Sequence, residues 1–184
     1  MLKPMDFALG AVMATRREAL EKIGGFEYLL EYLADDYQLG NQIARSGAKL
    51  QLASIPVECR SEPLSARQVW NHQLRWARTI RVCQPVPYFF SIISNPTLWT
   101  LAAMVSGAPG AKWLFALVVV ARMAMTASCY QKLSGLPGLL AGLLAPIKDL
   151  LAAIIWLLSF TGSKIWWRGT LFRVNRGGKL TRIA

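Results

Sequence analysis

Hydrophobic and polar positions are patterned differently in the two halves of the chain. Up to residue 86 they alternate over short distances, with 11 Lys/Arg against 9 Asp/Glu; from residue 87 onward long apolar stretches carry basic ends, with 10 Lys/Arg against Asp149 alone. In the first half, Thr15-Arg16-Arg17-Glu18 leads into Ala19, Leu20 and Ile23 and is closed by Gly24-Gly25. This predicts a short helix whose first turn is capped by Thr15 while Glu18 reaches back. Ahead of it, Phe7 to Ala14 is apolar and small, as in a buried strand or a tight approach to another segment. A second helix is predicted from about Asp36 to Ser46, with Leu39 and Ile43 one turn apart, Asp35 or Asp36 at its start and Gly47 at its end. Lys49 to Ala53 and Val57 to Arg60 read as short strands around Ile55-Pro56. Ala66 to Val82 reads as a basic amphipathic helix, with Val69, Leu74, Trp76, Ala77 and Ile80 apolar and Arg67, Arg75, Arg78 and Arg81 basic. Such a helix suits either a headgroup layer or the surface of a globular domain.

Three apolar stretches follow. Tyr88 to Val105 is uncharged, with Asn95-Pro96 placed to break it; Trp113 to Tyr130 is interrupted by Arg122; Leu139 to Phe160 carries Pro146, Lys148 and Asp149. About 20 apolar residues cross a bilayer. An unpaired arginine at mid-membrane costs about 2.5–3.5 kcal/mol on insertion, and Lys148 and Asp149 are expected to pair and lower each other's burial cost. The soluble first part and the segment carrying Lys164, Arg168, Arg173, Arg176, Lys179 and Arg182 both belong in the cytosol by the positive-inside rule. That demands an even number of crossings. Either Tyr88 to Val105 is re-entrant or interfacial, or Leu139 to Phe160 is two pieces. Trp166 and Trp167 fit a headgroup belt after the last stretch.

A hydrophobic content of 54% and a net charge of +11 suit an anionic membrane surface or a phosphorylated ligand. Nucleic acid is disfavoured, because no zinc-finger spacing, RNP-like aromatic motif or basic repeat is present. Cys59, Cys83 and Cys129 are odd in number and lack metal-ligand spacing, which indicates reduced thiols at a cytosolic face. Neither a secretory signal nor a Gly-rich phosphate loop occurs near Met1.

Three local patterns carry the candidate chemistry: Gly24-Gly25-Phe26, Ala34-Asp35-Asp36-Tyr37 and His72-Gln73-Leu74-Arg75-Trp76. Alone, an Asp-Asp before a helix also reads as an N-cap, and an Arg-Trp on a basic helix as a membrane anchor. In this order, followed by apolar segments, they resemble the second half of the family 2 and family 21 glycosyltransferases. Within these the likeness is to the ceramide glucosyltransferase-like enzymes, including bacterial hopanoid-associated ones. It runs from Met5-Asp6-Phe7-Ala8-Leu9-Gly10-Ala11 to Trp167-Arg168-Gly169 and Gly177-Gly178.

The resemblance implies an α/β, partial GT-A-like catalytic portion over 1–65, an amphipathic interfacial helix with the Arg-Trp motif over 66–86, transmembrane helices over 87–163 and a basic cytosolic tail over 164–184. Asp36 falls at the family's catalytic base, with Asp35 as the alternative. An inverting transferase needs a carboxylate to take the proton of the attacking hydroxyl. Arg75 is placed to bind the leaving diphosphate, with Arg78 one turn away in support, since a guanidinium grips phosphate oxygens in a fork. Trp76 offers a flat face to a sugar ring or to the acceptor. His72 stands where the family has Gln or Arg, and it reads as a polar neighbour of the site and not as a metal ligand.

By the same resemblance the donor is a UDP-sugar such as UDP-glucose or UDP-N-acetylglucosamine, and the acceptor is a ceramide-like or hopanoid-like hydroxyl. A divalent Mg or Mn ion is expected in the full-length enzyme, with ligands outside this chain. The expected location is the cytosolic face of a membrane, a bacterial inner membrane in the first instance. The 184-residue chain is expected to be inactive alone, its donor-binding N-terminal half being either truncated or separately encoded. The alternatives are part of a processive polysaccharide synthase and a non-catalytic membrane anchor or transporter component.

Overall fold

Two units make up the fold of the computed structural model, which describes residues 4–55, 57–59, 62–167 and 169–183. The first unit comprises Met1–Gln84 with Gly162–Ala184, and the second Pro85–Thr161. Most of the chain is helical; the strands among the described residues form one small antiparallel sheet.

In the first unit, helix α1 spans Arg17–Lys22, a 3-10 turn Glu27–Glu31, α2 Asp35–Arg45 and α3 Ala66–Cys83. The expected cap by Thr15 does not form. Arg16 occupies the N-cap position with no side-chain cap bond, which leaves Thr15 one residue outside the helix. The C-terminal signal is realised: Gly24 and Gly25 take positive φ, and the Gly25 amide donates to the Leu20 carbonyl, closing the last turn as left-handed glycines do. Gly47 (φ 92°) likewise follows α2. Helix α3 starts from a capping box between Ser65 and Gln68.

The strands expected between Lys49 and Arg60 are absent among the described residues, and Pro56 and Arg60 lie outside them. A strand needs a partner to satisfy its ladder, and the described part of residues 1–65 supplies none. That portion is therefore helix and loop, not the expected α/β layer.

The basic segment is not a free tail. Strands β1 (Lys164–Trp167), β2 (Thr170–Val174) and β3 (Leu180–Arg182) pair in sequence order. Ile165 and Val174 are buried with Leu33, and Val82, Trp167, Phe172 and Leu180 pack around them. Lys164 and Arg173 are cross-strand partners on the outer face, where Trp166 is also exposed. Of the two tryptophans assigned to a headgroup belt, Trp167 thus packs inward. Arg168 lies outside the described residues. A second cluster, Leu29, Leu39 and Ile43 with Leu20, Ile23, Tyr28 and Leu50, joins α1, the 3-10 turn and α2.

In the second unit, Pro85–Ser94 comprises α4 (Pro85–Phe90) and a 3-10 turn, and α5 (Pro96–Val105) departs from it at 55°. The break falls at Asn95-Pro96 as the sequence indicates, with the Asn95 side chain accepting from the Leu98 amide at 3.0 Å. Helix α6 (Ala111–Ser134) is long and apolar enough to cross a membrane, and no part of its apolar window is buried in the fold. The bent Pro85–Val105 pair meets the same test only if counted as one span.

The third apolar stretch is two pieces, α7 (Leu139–Leu143) and α8 (Ala145–Ser159). Helix α7 runs back along α6: a Cβ on Gly138 would collide with the Ala127 backbone, and one on Gly142 with the Met123 carbonyl. The expected Lys148–Asp149 pair is replaced by another. Arg122 donates from Nε to Asp149 Oδ2 and from Nη2 to Oδ1, both at 2.8 Å, while Lys148 is exposed. Neighbours in sequence on a helix point about 100° apart, whereas Arg122 on α6 meets Asp149 face to face.

Candidate functional site

Asp35 and Asp36 occupy the first turn of α2, where backbone N–H groups and the helix dipole favour a carboxylate. Asp35 is exposed and bonds the Asp36 amide; Asp36 is half-buried and its Oδ1 accepts from the Tyr37 amide at 2.7 Å. Oδ2 of Asp36 makes no hydrogen bond to a described residue.

The segment from Asp6 to Gly10 straps this end of α2. The Asn41 side chain donates to the Asp6 carbonyl, Phe7 stacks on Tyr37, and Gly40 lies so close to Phe7 and Ala8 that a Cβ would meet their backbone. Gly10 abuts the Asp36 carboxylate itself. Of the two readings of Phe7 to Ala14, the tight approach is the one realised, not the buried strand.

The far side of the same turn is set by the C-terminal segment. Gln38 donates to the Gly177 carbonyl at 2.8 Å, the Leu33 amide donates to the Gly178 carbonyl, and Gln84 at the end of α3 donates to the Tyr37 hydroxyl at 2.7 Å. Burial pushes the Cys83 thiol up to about 11, with the Asp36 charge adding to it. Cys83 is thus protonated at neutral pH and inert as a nucleophile. All three cysteines are free.

His72, Arg75 and Trp76 form a second group on α3. His72 and Trp76 meet edge to face at 4.7 Å between ring centroids. Arg75 is half-buried and forms no side-chain hydrogen bond to a described residue, so its fork is open to a ligand. Arg78 is engaged differently: its Nη1 donates to the Lys164 carbonyl at 2.7 Å, tying α3 to β1, while its Nε is buried without a partner. Burial lowers the pKa of both guanidiniums, and the Arg81 charge adds to the effect at Arg78.

No hydrogen bond or ion pair joins Asp36 to His72, Arg75 or Trp76. Asp36 lies by the Cys83 end of α3, and Arg75 is about two turns, roughly 12 Å, back along the helix axis. The sequence motifs thus form two patches on the first unit. Gly10, Gly40, Gln38 and Gln84 were not singled out as site residues from sequence. Gly40 carried one signal, since glycine inside a helix is unfavourable by about 1 kcal/mol unless something needs the space.

Two expectations follow from this geometry. The Gly10→Ala variant will keep its thermal stability within about 0.5 kcal/mol, because the group it meets is the movable end of a side chain, while the Asp36 carboxylate turns aside. Melting curves check the first, and a shifted titration of the Cys83 thiol, which the Asp36 charge helps raise, checks the second. His72 is held below its ordinary 6.5 mainly by burial and then by the Arg75 charge. The unfolded chain therefore binds that proton more tightly, and the stability contributed by neutral His72 is complete above pH 6.5 and lost as pH falls through the folded value. NMR titration of this single histidine should give a midpoint under 6.5 that rises in Arg75→Gln without reaching it; a midpoint at or above 6.5 in the native chain would contradict the packing described.

The model of glycosyl transferase family 21 matches residues 1–180. The chain belongs to that family. A curated relative, ceramide glucosyltransferase 3 of Caenorhabditis elegans, is 32% identical over 76 residues, which is 40% of this chain and 17% of that protein. The matched segment is thus under a fifth of the relative's length. No solved structure matches the chain. Family membership makes sugar transfer the chemistry against which the two patches are read. Among the described residues, no three of His, Cys, Asp and Glu gather where they could hold a metal ion, and no step is derived through one.

Proposed function

We propose that this family 21 chain supplies the acceptor side and the membrane part of an inverting transferase that moves a sugar from a UDP-sugar to the hydroxyl of a ceramide-like or hopanoid-like lipid. The observation that carries this reading is the Asp36 carboxylate, half-buried at a helix N-terminus, whose Oδ2 makes no hydrogen bond to a described residue. The acceptor O–H gives its proton to that oxygen as the hydroxyl oxygen bonds to the anomeric carbon and the UDP leaves. Arg75, charged and without a side-chain hydrogen bond to a described residue, receives the departing diphosphate, and Trp76, 53% exposed, lines the approach of sugar or lipid. The nucleotide and its divalent ion are assigned to an N-terminal half, carried in line or encoded separately.

Membrane placement follows from the same reading. Helix α6 crosses, α7 and α8 return along it, and the bent α4–α5 segment enters without crossing, so both ends of the chain face the cytosol as their basic residues require. Val69, Trp76 and Ile80 are exposed on α3, a surface suited to the headgroup layer. The test is transfer from labelled UDP-glucose and UDP-N-acetylglucosamine in membranes of the source cells. Label in a chloroform-extractable glycolipid with inverted anomeric carbon supports the proposal. Label in an insoluble polymer points to a processive synthase, and no change in either product on depletion of the chain points to an anchor.

A further inference from the structure

The second unit contains a cleft of about 300 Å³ beside the broken helix, lined by Ser94, Asn95, Arg122, Asp149, Ala152 and Trp156 among others. Its polar groups are unevenly satisfied. Asp149 is engaged at both oxygens: Oδ2 accepts from Thr97, which is fully buried, and from Arg122 Nε, Oδ1 accepts from Arg122 Nη2, and the backbone carbonyl accepts from Asn95. Ser91 and Ser94 donate to carbonyls of their own turn. Trp156 donates to the Tyr88 carbonyl. Arg122 is different, because its bonds to described residues come from Nε and Nη2, none from Nη1, and its side chain is 34% exposed. The cleft therefore offers a fixed donor and asks for an acceptor oxygen.

Arg122 lies at the centre of the 24-residue α6, about 16 Å from either end. At that depth irregular backbone and a charged pair are tolerated only inside protein or along a cavity. Asp149 cancels the charge of Arg122, so an anionic phosphate would gain little over a neutral oxygen, whereas a carbonyl or hydroxyl would satisfy Nη1 at no added charge. Exposed Ala152 and the Trp156 ring give the cleft apolar walls on α8 along which hydrocarbon chains can leave toward the bilayer.

We propose that this cleft holds the neutral polar head of a lipid, an amide- or hydroxyl-bearing amphiphile of the acceptor's chemical class, with its acceptor oxygen on Arg122 Nη1. The inference rests on the membrane placement of α6 to α8 given above and is independent of the chemistry at Asp36.

The test is photo-crosslinking of the full chain, reconstituted in vesicles, with a diazirine- and alkyne-tagged ceramide and separately with an equally tagged phosphatidylglycerol. The expected result is ceramide labelling in Ser91–Asn95 or Ala152–Trp156 that falls about tenfold in Ala152→Phe, which fills the cleft without touching the ion pair. Arg122→Lys, which keeps a cation for Asp149 but loses the free fork nitrogen, should fall similarly. Labelling of the outer face of α6, at Leu117 or Val120, with none in the cleft overturns the inference and leaves the membrane placement standing. Cleft labelling that Ala152→Phe does not reduce, or that comes from phosphatidylglycerol alone, also overturns it. An absence of label on any helix of the unit removes both.

Discussion

Replacing Asp36 by Asn will lower sugar transfer by about 10²–10⁴-fold, the range that a positioned general base contributes, and will leave the fold nearly as stable. Asparagine keeps the shape of the side chain and the hydrogen bond that Oδ1 accepts from the Tyr37 amide, but its amide cannot take a proton from an attacking hydroxyl. Helix α2 loses one favourable charge at its N-terminus, worth about 0.3–1 kcal/mol. The same variant carries its own control. Part of the upward push on the Cys83 thiol comes from the Asp36 charge, so Asp36→Asn should lower the pKa of that thiol while the larger share, from burial, remains. A thiol titration that shifts while transfer is unchanged would keep the geometry and discard Asp36 as the base. The matching Asp35→Asn change should be mild, because Asp35 is exposed and directed to the Asp36 amide.

The second large effect is expected in the helical unit. Arg122→Leu or Asp149→Leu leaves one charge without its partner among apolar helices, and breaking such a pair costs about 3–5 kcal/mol when it is fully buried. With the two side chains 34% and 14% exposed, the expectation is reduced to about 2–3 kcal/mol for each single variant. The double Leu variant should recover most of that loss, since two well-packed apolar side chains avoid the desolvation of both ions. Unfolding followed in detergent by the tryptophan signal measures all three. Equal stability of the singles and the native chain would mean that water reaches the pair freely, and would weaken the case for a defined cleft beside it.

Elements with a local cause were legible before the structure. The glycines after α1 and α2 and the break at Asn95-Pro96 depend on residues within a few positions of one another. Misreadings came where a remote partner decides. Lys49 to Arg60 has strand-like residues but finds no strand to pair with in the described part of the chain. Lys164 to Arg182 was read as a tail because its charges dominate the count, yet Lys164 and Arg173 sit at outward positions of strands whose inward positions, Ile165, Phe172 and Val174, meet Leu33 and Val82.

By itself, then, the sequence determined most of the helical segments, the glycine stops after α1 and α2, the basic apolar character of the second half and the family to which the chain belongs. Each of these is a property of periodicity, capping or residue order, and none needs knowledge of what lies far along the chain. Only the tertiary structure decided which groups meet: Gly10 against Asp36, Gly40 under Phe7 and Ala8, Gln38 on the Gly177 carbonyl, Arg122 on Asp149. Contacts between residues tens of positions apart are set by how whole elements pack, where one missing Cβ or one buried charge selects among arrangements that local preference leaves equal.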